Sequence, residues 1–451
     1  MKELSSITSL KQVPEVMSLQ EAFQEAARCL LCYDAPCSRG CPSETDPGKF
    51  IRQIRFLNFK GGARTVIKNN ILGGVCGLVC PTEKLCVKEC SRTGIDIPID
   101  IGGLQAFAVD YGKRMAVSLD EKPPQRKEKI AVIGSGPAGL SASYELARKG
   151  YQVTVFESEK EIGGTLRYGV PSFRCPEVTF LKDISVLEKL GVRFKTRSQV
   201  KGPNQAAKLL KSGFKAVFIG VGLQTPYAVS VPGINLKAIA TAKDFLKSVR
   251  AEGARGAAGK LVRDKNVAII GGGSVAMDVA ATCRALKANR VYAISLESLK
   301  ELPACKDDIE LARMNHLIFK PQCQVTEIIG GKSGKVTGVK GVETEWIKPN
   351  NFLPSNVRQV PGTSFTLKVG AVIQAIGLGP SEKNAEIYSS LKKKGKYIAV
   401  NEKTMQTSVK GVFAGGDIIR GGLTVVQAVA DGKRAAAAID TCIRAQGRAR
   451  I

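Results

Sequence analysis

The segment IAVIGSGPAG, residues 130–139, constrains the fold of this chain more than any other stretch. A short apolar strand, Ile130-Ala131-Val132-Ile133, runs into Gly134-x-Gly136-x-x-Gly139, and a helical pattern follows through Leu146. The first glycine permits a tight turn, and the second lets backbone approach a pyrophosphate where Pro137 and Ala138 open the helix. The third lets helix and strand pack closely. The next apolar run, VTVFE, ends at Glu157, 23 residues past Gly134, where a carboxylate can accept from ribose hydroxyls. The same grammar returns in NVAIIGGGSVAMDVA, residues 266–280, as Gly271-x-Gly273-x-x-Ala276, followed by the strand VYAIS. Two such β-α-β units in one chain predict an α/β protein with two Rossmann-like dinucleotide-binding domains.

The second unit also carries an acid. Glu297 lies 26 residues past Gly271, and no arginine occurs between Val291 and Lys306. A carboxylate there suits the free ribose of NAD and repels a 2′-phosphate, so NADH is expected over NADPH.

A different chemistry precedes these units. The chain has 13 cysteines, and eight of them lie between Cys29 and Cys90. The first run, RCLLCYDAPCSRGCP, is C-x2-C-x4-C-x3-C-P over Cys29, Cys32, Cys37 and Cys41. The second is C-x3-C-P-x4-C-x3-C over Cys76, Cys80, Cys86 and Cys90. Bacterial ferredoxins end their cysteine run in Cys-Pro, and the fourth cysteine serves a second cluster. Zinc sites typically pair two C-x2-C knuckles, and only one such knuckle occurs here. Iron–sulfur ligation is the favoured reading, with zinc and disulfides as alternatives. By spacing alone, Cys76 is the natural eighth ligand. The other five cysteines (Cys175, Cys283, Cys305, Cys323, Cys442) read as small buried hydrophobes.

Organisation follows from these motifs. At 451 residues the chain is long enough for several domains. Ser18 and Glu21 form a capping-box pattern, with Leu19, Phe23, Ala26, Ala27 and Leu30 on one face of the helix that follows. A second helix is expected after Pro47, with Phe50, Ile54 and Leu57 inward. The charged, proline-bearing stretch DEKPPQRKEK, residues 120–129, reads as a linker. The expected division is a helical cysteine domain over 1–119, a first dinucleotide domain over 120–225 and 370–451, and a second over 226–369 inserted in it.

Several classes are disfavoured. No stretch approaches ~18 uninterrupted apolar residues, so no membrane span is expected. The start, MKELSSITSLKQVPEV, has no apolar h-region, which predicts a cytoplasmic chain with reduced thiols. The net charge of +27 is spread along the chain with no dense basic block among aromatics, which reads as a solvated surface and no nucleic-acid site. The single histidine, His316, excludes mechanisms built on several histidines.

The late segment VFAGGD, residues 412–417, followed by a helix pattern opening near Thr424, resembles the two-dinucleotide-domain flavoprotein oxidoreductases. In that family the first glycine motif holds FAD, a Gly-Asp pair matching Gly416 and Asp417 binds the ribityl chain, and the last helix points its N-terminus at the flavin. Over nearly the whole chain, the stretches RCLLCYDAPCSRGCP, TDPGKFIR, VCPTEKLC, PIDIGGLQ, IGSGPAGL, GGGSVAMDVA and VFAGGDI are similar to the electron-input half of dihydropyrimidine dehydrogenase.

This resemblance implies two [4Fe-4S] clusters. One would be held by Cys29, Cys32, Cys37 and Cys90, and the other by Cys41, Cys80, Cys86 and Gln105, with Cys76 a non-ligand. It further implies that Glu157, Gly163, Gly164, Thr165 and Arg174 line FAD beside Gly134, Gly136, Pro137, Ala138 and Gly139. Gly272, Gly273, Ser274 and Val275, following Gly271, would hold the NAD(H) pyrophosphate, with Ala375, Ile376 and Gly377 toward the nicotinamide. The implied activity is a redox relay without a catalytic acid or base. Hydride from NADH would reach FAD, and electrons would leave by both clusters to a partner. The implied partner is an FMN- and iron–sulfur-containing barrel subunit, in a hetero-oligomer, that reduces uracil or thymine to the 5,6-dihydropyrimidine.

The small subunit of glutamate synthase, or a related NAD(P)H:ferredoxin-type oxidoreductase, shares this plan, but DAPC and DIGGLQ favour the pyrimidine group. A thioredoxin-reductase-like disulfide enzyme is disfavoured, because the second glycine domain has no C-x2-C. A zinc-bearing structural module is the non-enzymatic alternative.

Overall fold

The computed structural model describes residues 16–117 and 123–448. The expected boundary at 119/120, the first three residues of the linker and the start of the chain lie outside them. The described residues form two compact units: residues 168–173 with 226–378, and the remainder.

In the larger unit a five-stranded parallel sheet runs in the order Val412–Ala414, Phe214–Ile219, Lys129–Ile133, Gln152–Phe156, Arg193–Lys195. Continuous apolar strands mark a sheet covered on both faces. Val412–Ala414 joins beside Phe214–Ile219, so the segments flanking the insertion share one sheet. The helix Pro137–Ala147 crosses the last helix, Val425–Arg448. The crossing is close because Gly432 has no side chain: a Cβ there would sit 2.4 Å from the carbonyl oxygen of Ala138.

The cysteine-bearing helices belong to the same unit. Ser18 caps Leu19–Ala27 in the expected capping box. The apolar face of this helix is not the one anticipated. Of the expected residues only Ala26 is buried; Leu19, Phe23, Ala27 and Leu30 are exposed, and Ala22 joins Ala26 against Phe50, Ile51 and Ile54. Small residues let that helix lie close on its neighbour. Phe50 and Ile54 point inward from Pro47–Arg55 as expected, but Leu57 falls beyond the helix end with φ +60° and is exposed. Of the five scattered cysteines, Cys175, Cys283 and Cys323 are buried, whereas Cys305 and Cys442 are only half-buried.

The helical part docks on the sheet part through polar anchors. Asp183, on the helix Glu177–Lys189, accepts from the Val75 N–H at 2.9 Å and pairs with Lys113 Nζ at 2.6 Å. Burial raises the Asp183 carboxyl above its usual range, and the Lys113 ammonium offsets part of that. The Tyr144 hydroxyl donates to the Ile67 carbonyl at 3.1 Å, and Lys433 donates to the carbonyls of Asn69 (2.9 Å) and Ser43.

The smaller unit holds a second parallel sheet, ordered Ile239–Thr241, Ala371–Gln374, Val267–Ile270, Val291–Ile294, Leu317–Lys320. Beside it lies an antiparallel sheet built on Cys323–Gly330 and Val336–Trp346. The chain returns to the larger unit at 379, later than the expected 370, because Ala371–Gln374 is a central strand of the inserted sheet. The excursion 168–173 was not anticipated either: Phe173 packs on Ala281 within the smaller unit.

Candidate functional site

At the first glycine turn the three glycines divide their work as the motif requires. Gly134 has φ +96°, and a Cβ on it would meet the Gly220 carbonyl oxygen at 2.5 Å. Gly136 has nothing within 4 Å of its missing Cβ, and it begins the helix Pro137–Ala147 without a side-chain cap. The first N–H groups of that helix are therefore left for an anion. A Cβ on Gly139 would lie 2.0 Å from the Gly134 carbonyl oxygen, so that helix rests directly on the turn.

Around this turn the other expected residues gather. Gly163 (φ +127°) and Gly164 (φ +54°) bend the chain back, and a Cβ on Gly164 would be 3.0 Å from Gly136 Cα. Thr165 opens the short helix Thr165–Tyr168. Gly416 (φ +76°) approaches the side chain of Ala138, and Asp417 follows it, its carboxyl raised by burial. Thr424 precedes the last helix, its hydroxyl accepting from the Gln427 N–H while Gln427 Oε1 accepts from the Thr424 N–H. Arg174 is half-buried where the chain re-enters this unit.

Glu157 is buried and already engaged. Its Oε2 accepts from the Ser135 N–H at 3.0 Å and from the Ser135 hydroxyl, and its Oε1 accepts from the Glu159 N–H at 2.8 Å. The Ser135 oxygen in turn accepts from the Gly163 N–H at 3.0 Å. Sequence reasoning missed Ser135, which sits between the motif glycines. It also missed Asp431, fully buried, which accepts from the Gly416 N–H at 2.9 Å while paired with Arg420 and Arg434. The visible signal for Asp431 was an acid inside an otherwise apolar helical face.

The second glycine turn, in the smaller unit, is more open. Gly271 has φ +131°, and its missing Cβ faces the Ala375 carbonyl oxygen at 2.4 Å. Gly273 has open space above it and begins the helix Ser274–Ala285, again without a side-chain cap. Ser274 accepts from the Cys305 N–H, and Val275 is half exposed. Glu297 is half-buried, its Oε2 3.2 Å from where a Gly272 Cβ would stand. Ala375, Ile376 and Gly377 follow the strand Ala371–Gln374 at the same sheet end, with Gly377 at φ +98°.

The eight cluster positions separate into two cavities in the larger unit. Cys29, Cys32, Cys37 and Cys90 line the first, with Leu30, Ser91 and Arg92. Its walls are held by arginines: Arg92 donates to the Arg28 carbonyl and Arg55 to the Cys29 carbonyl. Cys41, Cys80, Cys86 and Gln105 line the second, with Cys76 and with Val426 of the last helix. Gln105 Nε2 donates to the Gly73 carbonyl at 2.7 Å, so Oε1 is the atom of that amide left to offer a lone pair. Thus the structure gathers both expected quartets, and Cys76 with the second.

The donor sets fit inorganic clusters. A single zinc ion needs its ligands around one point, at ~2.3 Å from sulfur. Among the described residues no three His, Cys, Asp or Glu side chains converge that way. The thiols instead ring the cavities, as suits a cluster that offers a separate iron to each ligand. Burial pushes the Cys37 thiol up to about 11 and the Cys86 thiol up to about 12, with neighbouring thiols adding to both. Protein alone does not favour thiolates here; bound metal would.

Residues 6–117 match the family described as dihydropyrimidine dehydrogenase domain II, 4Fe-4S cluster, and residues 128–432 match pyridine nucleotide-disulphide oxidoreductase. The chain is 38% identical over 418 residues to the NAD-dependent dihydropyrimidine dehydrogenase subunit PreT of Escherichia coli K12, covering 93% of each chain. It is also 32% identical to the NADP(+)-dependent formate dehydrogenase subunit beta of Moorella thermoacetica, covering 91% of this chain and 60% of that one. Among solved structures, the thioredoxin reductase of T. acidophilum aligns over 71% of this chain and 99% of its own, with TM-score 0.52 and 20% identity. FprA from Mycobacterium tuberculosis aligns over 72% and 86%, with TM-score 0.55 and 19% identity. The structural likenesses show the fold alone. The family matches make the chain an oxidoreductase that uses FAD, NAD(H) and 4Fe-4S chemistry. With its cysteine head, its two glycine turns and 93% coverage in both directions, the chain belongs to the family of PreT-type subunits of NAD-dependent dihydropyrimidine dehydrogenase.

Proposed function

We propose that this chain is the NADH-oxidising subunit of a hetero-oligomeric dihydropyrimidine dehydrogenase. Electrons taken from NADH pass by FAD and two [4Fe-4S] clusters to an FMN- and iron–sulfur-containing barrel partner, where uracil or thymine becomes the 5,6-dihydropyrimidine. The observation that carries this reading is the last helix. Its start lies beside Gly416 and Asp417 of the flavin turn, and its Val426 lines the second cysteine cavity. One rigid element thus spans the two expected cofactor sites.

When bound, the flavin supplies hydride acceptance and one-electron release, and the clusters supply one-electron carriers. The protein binds and positions them. The uncapped N–H groups at Pro137–Ala147 face the flavin pyrophosphate, and Glu157 faces its ribose. The uncapped N–H groups at Ser274–Ala285 face the NADH pyrophosphate. Glu297 accepts from the adenosine ribose and repels a 2′-phosphate.

Anaerobically purified protein is expected to contain flavin, iron and sulfide for two clusters, and to reduce dyes with NADH but not uracil. Uracil reduction by the isolated chain, or a colourless protein, overturns the reading. The ligand set is tested by Gln105→Ala, which should alter one cluster spectrum, against Cys76→Ala, which should leave both. The reverse result overturns the assignment of Gln105.

A second reading, an electron-transfer subunit serving NADP(H) in a different complex, is favoured by the similarity to the Moorella subunit. It predicts a higher kcat/KM for NADPH than for NADH, the opposite of what Glu297 implies.

A further inference from the structure

A sealed polar network lies against the second cysteine cavity. Ser43 and Thr45 are 0% exposed and Asn70 is 1% exposed. The Leu72 N–H donates to Asn70 Oδ1 at 2.9 Å, which fixes the amide with Nδ2 toward the two hydroxyls. Nδ2 lies 3.3 Å from Thr45 Oγ1 and 3.5 Å from Ser43 Oγ, and the hydroxyls are 2.9 Å apart. All of this converges on one sulfur. Cys41 Sγ is 3.4 Å from the Thr45 nitrogen, 3.4 Å from Thr45 Oγ1 and 3.5 Å from Ser43 Oγ. The loop is held in place by its carbonyls: Asn69 Nδ2 donates to that of Thr45 at 3.4 Å, and Lys433 to that of Ser43.

Donor counting gives the network a direction. The amide proton of Asn70 occupies the acceptor side of the hydroxyls, so each keeps a proton to donate elsewhere. A ligating Cys41 is a thiolate and can only accept. The 2.9 Å contact between the two hydroxyls takes one of their protons, so the other, together with the Thr45 N–H, ends on Cys41 Sγ. Hydrogen bonds to ligand sulfur stabilise the more negative, reduced cluster and raise its potential. Burial strengthens them, because no water competes.

We propose that Thr45, with Ser43 and Asn70 behind it, positions Cys41 and sets the reduction potential of the cluster in the second cavity above what its ligands alone would give. This rests on the reading of that cavity as a cluster site. Neither hydroxyl touches the first cavity, so the effect is confined to one cluster.

The test is an anaerobic redox titration of the whole holoprotein, followed by electron paramagnetic resonance, for wild type, Thr45→Val and Thr45→Ser. Thr45→Val should shift one cluster midpoint to lower potential, with the other cluster, the flavin content and the iron content unchanged. Thr45→Ser should restore the wild-type midpoint. If Thr45→Val fails to load iron, Ser43→Ala is titrated instead, with a smaller shift of the same sign expected. Two fully loaded clusters with unmoved midpoints overturn this proposal and leave the cluster assignment intact. Wild-type protein with no iron in the second cavity overturns both.

Discussion

The two glycine turns share a grammar but differ at the position that faces the acid. Between the first two glycines of the first motif stands Ser135; the matching residue of the second is Gly272. Ser135 ties Glu157 to the turn and Gly163 to Ser135, so the acid is buried and pre-set. Gly272 offers nothing to Glu297, whose carboxylate stands half-buried beside bare backbone. A tied acid suits a dinucleotide that stays, because its site is organised before binding. A standing acid suits one that comes and goes at each turnover. Ser135 thus gives the first turn a pre-set acid that Gly272 denies the second.

The comparison can be broken from its strongest point downward. Gly139→Ala places a methyl 2.0 Å from the Gly134 carbonyl oxygen, so flavin-free or unfolded protein is expected, at a cost of ~3 kcal/mol or more. Thermal melting with a flavin assay reads this. Next, Glu297→Arg should lower kcat/KM for NADH roughly tenfold to a hundredfold, the worth of a charged hydrogen bond of ~1.5–3 kcal/mol, and raise that for NADPH. Unchanged coenzyme preference would detach Glu297 from the ribose. Ser135→Ala leaves the Gly163 N–H and Glu157 short of partners, and should weaken flavin retention by ~1–2 kcal/mol without changing the KM for NADH. Flavin release on dilution measures it, and an effect on KM instead would reverse the roles of the two turns. Smallest, Ala276→Gly alters the third position of the second motif, where a methyl already fits, and should cost only ~0.5–1 kcal/mol through helix propensity.

What sequence made legible was whatever a local rule over-determines. Gly134, Gly139 and Gly271 were readable because only glycine tolerates those dihedrals or contacts. The cap at Ser18 was readable from three-residue spacing. The grouping of the eight expected ligand positions around two cavities was not. Spacing pointed to Cys76, and only likeness to a family put Gln105 in its place. The face read for Leu19–Ala27 held only at Ala26, because apolar periodicity favours large side chains, whereas the packing uses Ala22 beside Ala26. Ser135 and Asn70 were invisible because their partners lie in distant segments, and no local pattern records a tertiary hydrogen bond. The return at 379 was misjudged because a buried strand reads alike in either sheet.

The contact of Lys433 with Ser43 and Asn69, and the place of Val426 in the wall of the second cavity, bear on how the protein is made. Synthesis delivers Cys41, Cys80, Cys86 and Gln105 long before Val426, with the whole inserted domain in between. Until the last helix docks, the wall that Val426 supplies to that cavity is missing, and chain order makes it the last part of the lining to be synthesised, after every residue between Cys41 and Gln105.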